Sequence, residues 1–194
     1  MTRKQSPSQT AGPYVHIGCT PNFAGIPGIY ESDLGHQMIT GDVAGERITI
    51  KGTVFDGAGM AMRDALIEVW QADANGHYPP SPQSDPHFTG FGRSPGDMDT
   101  GEYVFDTVKP GRVAFRDGKL QAPHITFWIV ARGINLGLHT RMYFADEDNS
   151  GDPVLSRIEH QMRVQTLLAQ PEGGGVYRFN IHLQGADETI FFDV

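Results

Sequence analysis

The stretch from residue 122 to 131, A-P-H-I-T-F-W-I-V-A, constrains the fold more than any other part of the chain. It is a short, nearly continuous run of apolar, β-branched and aromatic residues, which is typical of a buried β-strand. Successive side chains of a strand point to opposite faces. His124, Thr126 and Trp128 therefore share one face, and Ile125, Phe127 and Ile129 share the other. A histidine at the start of such a strand is a candidate metal or substrate ligand, although a lone strand histidine is more often packed and hydrogen-bonded.

Other segments with strand character are separated by turn residues. R-I-T-I-K-G-T-V-F-D alternates apolar and polar residues, and a D-G-A-G turn separates it from A-L-I-E-V-W-Q-A-D. With 24 glycines and 13 prolines the chain favours strands and turns over long helices. We therefore predict an all-β fold, a β-sandwich of mostly antiparallel strands with long loops. The predicted strands, besides the one at 122–131, span residues 47–55, 64–72, 101–108, 138–144 and 176–184.

Two segments between these strands are predicted to have other structure. Residues 77–100 are rich in proline and glycine and are predicted to form a long loop, and long loops in compact domains tend to be functional. Asp152 followed by Pro153 has the character of an N-cap and a first helical residue, which predicts one short helix ending near Gln161. Residues 166–169 could prolong that helix or form a strand.

The first 46 residues have no sustained period and are predicted to form an N-terminal arm, with residues 47–194 as the sandwich core of the same domain. An arm of this length either wraps its own sheet or reaches a neighbouring chain. We expect this arm to dock on a partner chain and to depend on that docking for its order. It is more apolar than a disordered tail needs to be, through Tyr14, Val15, Ile17, Phe23, Ile26, Ile29 and Tyr30.

Charge and cysteine content limit the partners and the compartment. The formal net charge is −8, which argues against a nucleic acid or an anionic membrane as partner. An anionic ligand would need a local basic residue. Cys19 is the only cysteine, so that no intrachain disulfide can form. The sequence has neither the apolar core of a signal peptide nor a membrane-spanning run, and we expect a soluble cytoplasmic protein.

Several motifs spread over nearly the whole chain resemble the intradiol ring-cleaving dioxygenases. The most specific is L-I-E-V-W-Q-A-D-A-N-G (66–76), and T-A-G-P-Y-V-H-I-G (10–18), A-P-H-I-T-F (122–127) and A-R-G-I-N-L-G-L-H-T-R (131–141) also match. Catalytic chains of that family hold a non-haem ferric ion with two tyrosinates and two histidines, and cleave a catechol with O₂ between its hydroxyls. Hard phenolate oxygens suit Fe(III), and the metal-bound catecholate becomes reactive toward O₂.

Only one of the family's four iron ligands has an equivalent in this chain. His124 matches the first histidine of the family's H-x-H pair, but Thr126 replaces the second. Val113 matches one tyrosine, and residues 79–102 contain no tyrosine to supply the other. Gln121 matches an arginine that assists the catalytic centre. The resemblance therefore implies that this chain binds no metal and that His124 is a remnant of the ligand set.

The resemblance also implies a hetero-oligomer. A homologous partner chain would carry the Fe(III), and the assembly would cleave protocatechuate with O₂ to 3-carboxy-cis,cis-muconate. This chain would supply structure and part of the substrate pocket, and it has no catalytic residue of its own. Two alternatives stay open: a homo-oligomeric binding or scaffolding protein that has lost catalysis, and a metalloenzyme with unrecognised ligands, for instance among His77, His87 and His139. The residues matched to the pocket are Thr10, Gly12, Pro13, Tyr14 and Arg132.

Overall fold

The structure, a computed structural model, describes residue 4 and residues 9–193. These residues contain one α-helix, α1 (Val15–Cys19), and 3-10 segments at Arg116–Gly118, Leu155–Arg157 and Gln161–Leu167. No helix among them is long and apolar enough to cross a membrane. The strands within this part of the chain are β1 (Arg47–Phe55), β2 (Leu66–Gln71), β3 (Phe91–Pro95), β4 (Glu102–Val108), β5 (Val113–Ala114), β6 (Leu120–Gln121), β7 (His124–Val130), β8 (Leu138–Phe144), β9 (Leu168–Gly173), β10 (Val176–Arg178) and β11 (Ile181–His182).

Nine of these strands form one sheet in the order β11-β1-β10-β9-β8-β7-β2-β3, with β4 beside β1. Strands β5 and β6 form a separate two-stranded ribbon. Strand β9 pairs with β10 on one side and with β8 on the other, so that it joins the two halves of the sheet. The pairings of β1 with β10 and β11, and of β8 with β9, are parallel, and the others are antiparallel. The predicted all-β fold with mostly antiparallel strands is confirmed.

The two halves pack against each other through an aromatic core. Phe127 of β7 contacts three rings of the opposite half at centroid distances of 5.2, 6.0 and 6.3 Å, those of Phe179, Tyr103 and Phe105. Its neighbours Ile125 and Ile129 are fully buried in the same cluster. Burying each of these side chains stabilises the fold by about 2 kcal/mol. The face assignment of β7, predicted from its period of two, is confirmed.

One strand lies where a loop was predicted. Within residues 77–100, the segment F-G-R-S-P forms β3 and pairs with β2 along five residues. Gly92 and Pro95 hide this strand in the sequence because both residues are depleted in strands. An edge position tolerates them. Arg93 of β3 is anchored there by a hydrogen bond from its Nε to the Glu68 carboxylate at 2.7 Å.

The predicted helix from Asp152 to Gln161 is wrong. Asp152 does cap, because its Oδ1 accepts hydrogen bonds from the Val154 and Leu155 amides at 2.8 and 2.9 Å. Only the 3-10 segment Leu155–Arg157 follows, however, and Ile158 returns to extended backbone. The second Asp152 oxygen accepts a bond from the Ala122 amide at 2.8 Å, which ties the cap to the sheet. Residues 166–169, which could have prolonged the helix or formed a strand, do some of each. A 3-10 segment ends at Leu167, and β9 begins at Leu168.

The predicted strand 176–184 is interrupted. Phe179 and Asn180 leave the ladder between β10 and β11, and the Asn180 side chain accepts a hydrogen bond from the Thr53 amide at 3.1 Å. Both pieces still run beside β1. His182 is half-buried and stacks on Phe55 with ring centroids 5.0 Å apart.

The N-terminal arm contributes both to the core and to the surface. Met38 and Val43 are buried in the core cluster, and the Asp33 carboxylate accepts hydrogen bonds from the Asn22 and Phe23 amides. Residues 1–3 and 5–8 of the predicted arm lie outside the described residues. Docking of the arm on a partner chain stays a prediction. Besides Tyr14, five large apolar side chains of the arm are exposed and are called the arm face below: Phe23, Ile26, Ile29, Tyr30 and Leu34.

Candidate functional site

His124 is held as a structural side chain at the start of β7. It is 1% exposed and lies on the face of β7 opposite the aromatic core, beside Tyr143. Its Nδ1 is 2.8 Å from the Ala122 carbonyl oxygen, which can only accept, so Nδ1 carries the proton. Its Nε2 is 3.4 Å from the Tyr78 hydroxyl. Both ring nitrogens therefore already face protein groups.

The electrostatics around His124 favour its neutral form. Burial, followed by the positive charge of Arg141, lowers the pKa of His124 to about 4. Burial also raises the pKa of Tyr78, and it raises the pKa of Tyr143 to about 12 together with the charge of Asp152. Near neutral pH, then, the imidazole is neutral and both phenols keep their protons. The Tyr78 hydroxyl donates to His124 Nε2 in this state.

The positions matched to the family's iron ligands do lie close together. Val113 is paired with Gln121 across β5 and β6, and the Arg141 guanidinium donates to the Gln121 side-chain oxygen at 2.7 Å. Arg141 in turn is the β8 partner of Thr126, two residues from His124. The convergence expected from the resemblance is thus present in the backbone.

The side chains at these positions do not fit a ferric ion. Fe(III) is stabilised by several hard anionic oxygen ligands, and the three matched ligand positions offer one imidazole, a valine and a threonine. The Arg141 charge, which lowers the pKa of His124, also opposes a bound cation. Within residues 4 and 9–193, no three His, Cys, Asp or Glu side chains are grouped so that they could hold a metal. His139 pairs with Trp128, about 13 Å along the ladder from His124.

A second candidate site is a cavity of about 920 Å³ near the end of β7, away from His124. It is lined by the arm, by the segment between β1 and β2, by Met98 and by the loop after β7. Pro13 and Arg132, two of the five predicted pocket residues, line it. Thr10 lies next to them: its hydroxyl donates to the Ala131 carbonyl at 3.2 Å and accepts from the Gly133 amide at 2.9 Å. The structure therefore brings Thr10, Pro13 and Arg132 to one rim.

The remaining two predicted pocket residues connect this rim to α1. Gly12 has a φ of +79°, a conformation that glycine adopts without strain, and this turns the chain toward α1. Tyr14 precedes α1, and its side chain is 76% exposed. The role of all five residues in binding a substrate stays a prediction.

Two buried polar residues of this cavity were missed by the sequence reasoning. His16 of α1 is 6% exposed, and no hydrogen-bond partner of its Nδ1 exists among the described residues. Asp64 is 8% exposed, and Arg132 Nε lies 3.0 Å from its Oδ2 in an ion pair. His16 stands in the matched motif T-A-G-P-Y-V-H-I-G. The ion pair of Asp64 with Arg132 joins two turns that are distant in sequence, so no motif reveals it.

Known proteins similar to this chain agree with the fold and with the motifs. The family model described as "Dioxygenase" matches residues 20–185. The protocatechuate 3,4-dioxygenase alpha chain of Pseudomonas putida is 46% identical over 97% of this chain and 96% of its own length. The protocatechuate 3,4-dioxygenase beta chain of Burkholderia cepacia is 34% identical over 84% of this chain and 75% of its own.

Among solved structures, 3-chlorocatechol 1,2-dioxygenase from Rhodococcus opacus 1CP is similar in fold. It superposes with a TM-score of 0.62 at 22% identity, over 81% of this chain and 68% of that one. The family match covers most of the chain, from the arm to the strands after β9, and the two relatives align over most of it. The chain belongs to the intradiol dioxygenase family.

Proposed function

We propose that this chain is the alpha chain of a protocatechuate 3,4-dioxygenase. With a homologous beta chain that binds the Fe(III), it forms an enzyme that cleaves protocatechuate with O₂ between the two hydroxyls, giving 3-carboxy-cis,cis-muconate. The observation that carries the proposal is the contrast between the two sites of the chain. The positions matched to the iron ligands converge on side chains that cannot hold ferric iron, while the predicted pocket residues Thr10, Pro13 and Arg132 converge on an open cavity.

In this proposal the chain contributes a wall of the partner's pocket. Protocatechuate carries a carboxylate, which a chain of net charge −8 would repel unless a basic group faced it. Arg132 lines the cavity with its side chain 69% exposed, and a guanidinium can offer paired donors to a carboxylate. Pro13 and Tyr14 would shape the wall beside it. The iron, and the ring-opening steps at it, belong to the partner.

The exposed apolar side chains of the arm face are an argument for a protein partner. Its five apolar side chains, from Phe23 to Leu34, are between 45% and 64% exposed. Apolar patches of this kind mark protein interfaces. A homologous beta chain is the occupant that we propose, because the beta chain of B. cepacia is similar to this chain over most of its length. We place the assembly in the cytoplasm, where the free thiol of Cys19 would stay reduced.

Co-expression of the chain with its beta chain tests the proposal. We expect the two to co-purify and to consume O₂ with protocatechuate, and we expect this chain alone to be inactive. Activity of this chain alone would favour the self-sufficient metalloenzyme. Assembly of the chain only with itself, with no activity in the presence of the beta chain, would favour the binding or scaffolding protein.

A further inference from the structure

We propose that Asp64 is a positioning residue that holds the Arg132 guanidinium in the orientation in which it receives the carboxylate of the substrate. This inference rests on the proposed function and deepens it. It assigns a role to a buried acid in a pocket for an anion, where a negative charge would otherwise be unfavourable.

The end of the ladder between β2 and β7 brings Asp64 near Arg132. Strands β2 and β7 are antiparallel, and their last pair is Leu66 with Val130. Asp64 and Arg132 lie two residues beyond this pair, in the turns that adjoin the two strands. Their side chains meet there in an ion pair, with Arg132 Nε 3.0 Å from Asp64 Oδ2.

Burial makes this pair a constraint on Arg132 and not a loose surface contact. The Asp64 side chain is 12% exposed, and in the described part of the chain neither carboxylate oxygen has a hydrogen-bond partner. A buried carboxylate without a partner is strongly unfavourable, so Asp64 needs the positive charge of Arg132. The Arg132 side chain itself is 69% exposed and would otherwise sample many rotamers.

The contact leaves the useful part of the guanidinium free. Asp64 meets Arg132 at Nε, while neither Nη group makes a hydrogen bond to any of the described residues. Those two groups form the planar fork that binds a carboxylate through two parallel hydrogen bonds. Thr10 fixes the backbone on both sides of Arg132 through Ala131 and Gly133. Backbone and side chain are thus both held before the substrate arrives, which lowers the entropy cost of binding.

Positioning and simple electrostatics predict opposite results for the Asp64→Asn variant. If only charge mattered, removal of an anion near the pocket would strengthen the binding of an anionic substrate. If Asp64 positions Arg132, the variant loses the constraint and binds the substrate less well. We expect the KM for protocatechuate to rise about tenfold with kcat nearly unchanged, because the carboxylate takes no part in ring opening.

The test is steady-state kinetics of the assembled alpha–beta enzyme with protocatechuate and with catechol, which lacks the carboxylate. The Asp64→Asn variant should raise KM for protocatechuate only, and adding it to Arg132→Ala should have no further effect on that KM. The matched control is Glu188→Gln, which removes a carboxylate from the Arg163 ion pair outside the cavity and should leave both KM values unchanged. A lower or unchanged KM for protocatechuate, or an equal rise for catechol, would overturn the inference.

A second variant tests the geometry even if Asp64→Asn disturbs folding. Arg132→Lys keeps the charge on an exposed side chain, but its single ammonium cannot hold Asp64 and also offer a fork to the substrate. We expect it to raise the KM for protocatechuate nearly as much as Arg132→Ala does. A KM close to that of the unmodified enzyme would reject the positioning role of Asp64. Lack of protocatechuate activity in the unmodified assembly would instead reject the proposed function.

Discussion

The imidazole of His124 behaves as a hydrogen-bonded core side chain. Its Nδ1 proton is bound by the Ala122 carbonyl, its Nε2 faces the Tyr78 hydroxyl, and its pKa is lowered to about 4 by burial and by Arg141. A ligand histidine offers a nitrogen lone pair to an open position. Here that nitrogen faces a neighbouring phenol instead, so the residue stabilises the fold in its neutral form only.

Because His124 is buried in its neutral form, the unfolding free energy of the chain depends on pH. The pKa of His124 falls from 6.5 in the unfolded chain to about 4 in the folded chain, so the unfolded chain binds the proton first. The stabilisation is fully present above pH 6.5 and is lost as the pH falls toward 4. Over that range it amounts to about 3 kcal/mol. We therefore expect the difference in unfolding free energy between the unmodified chain and the His124→Asn variant to shrink by this amount as the pH is lowered from 7 to 4.

Denaturant unfolding of both proteins at several pH values between 7 and 4 measures that difference. Asparagine can still donate to the Ala122 carbonyl but does not titrate. As a control for function, the assembled enzyme with His124→Asn should keep nearly all of its turnover. A difference that stays constant with pH, or a large loss of turnover in an intact assembly, would contradict the role given to His124.

Arg132 is the residue proposed to bind the carboxylate of protocatechuate. Arg132→Ala removes the proposed donors to the substrate carboxylate, and truncation of one partner of such a charge pair costs about 2 kcal/mol or more. We expect a rise of about thirtyfold in the KM for protocatechuate with little change in kcat. Kinetics with catechol provide the comparison, since they should barely respond. An equal penalty on both substrates would mean that Arg132 acts through folding or assembly.

At the scale of elements, β1 holds the sheet together because it pairs with β4, β10 and β11. Gly52 lies at its centre, where an added Cβ would come within 1.8 Å of the Phe179 carbonyl oxygen and 2.8 Å of the Tyr103 hydroxyl. Neither group can move without breaking the core, since the Tyr103 hydroxyl donates to that same carbonyl.

We therefore expect Gly52→Ala to destabilise the chain by about 3 kcal/mol, the upper end for overpacking a core. The urea midpoint of unfolding measures the effect. The control is Gly18→Ala in α1, where no atom lies within 4 Å of the added Cβ. It should leave the midpoint unchanged or raise it slightly. Equal midpoints for the two variants would show that the close approach at Gly52 does not limit the sheet.

The elements that the sequence predicts are those with an undisturbed pattern. Strands β1 and β7 alternate or are uniformly apolar, and their period settles which face is buried. Strand β3 is not predicted from the sequence because Gly92 and Pro95 break that pattern. The predicted helix at Asp152 fails although the cap forms, because the backbone becomes extended at Ile158, a stop that no local pattern reveals. Asp64 stays hidden for a similar reason, since its partner Arg132 is distant in sequence and meets it only in the turns beyond the end of the β2–β7 ladder.

The candidate site also combines features that the local sequence reveals with features that depend on tertiary contacts. The loss of iron ligands can be read position by position from the motifs, because Thr126 and Val113 replace chemically essential groups. The grouping of Thr10, Pro13 and Arg132 follows from the resemblance alone. The local sequence does not explain it, because the arm and the loop after β7 are brought together only by tertiary hydrogen bonds.

At the scale of the whole molecule, the arm face should make the isolated chain associate with itself. Five exposed apolar side chains on one segment favour burial against any matching surface. We expect a concentration-dependent shift to larger species in size-exclusion chromatography, and we expect the Ile29→Asp variant to reduce it and also to weaken co-purification with the beta chain. The control is Met162→Asp, which changes an even more exposed apolar residue outside the arm. A monomer at all concentrations would argue against the arm face as an interface.

We propose that the chain works in an iron enzyme without itself holding the iron. Elemental analysis of the purified alpha–beta assembly and of each chain alone tests this. We predict about one iron per alpha–beta pair, iron retained by the beta chain, and none held by this chain alone. About two irons per pair, or a tightly held iron in this chain with a tyrosinate-to-iron absorption band, would contradict the account.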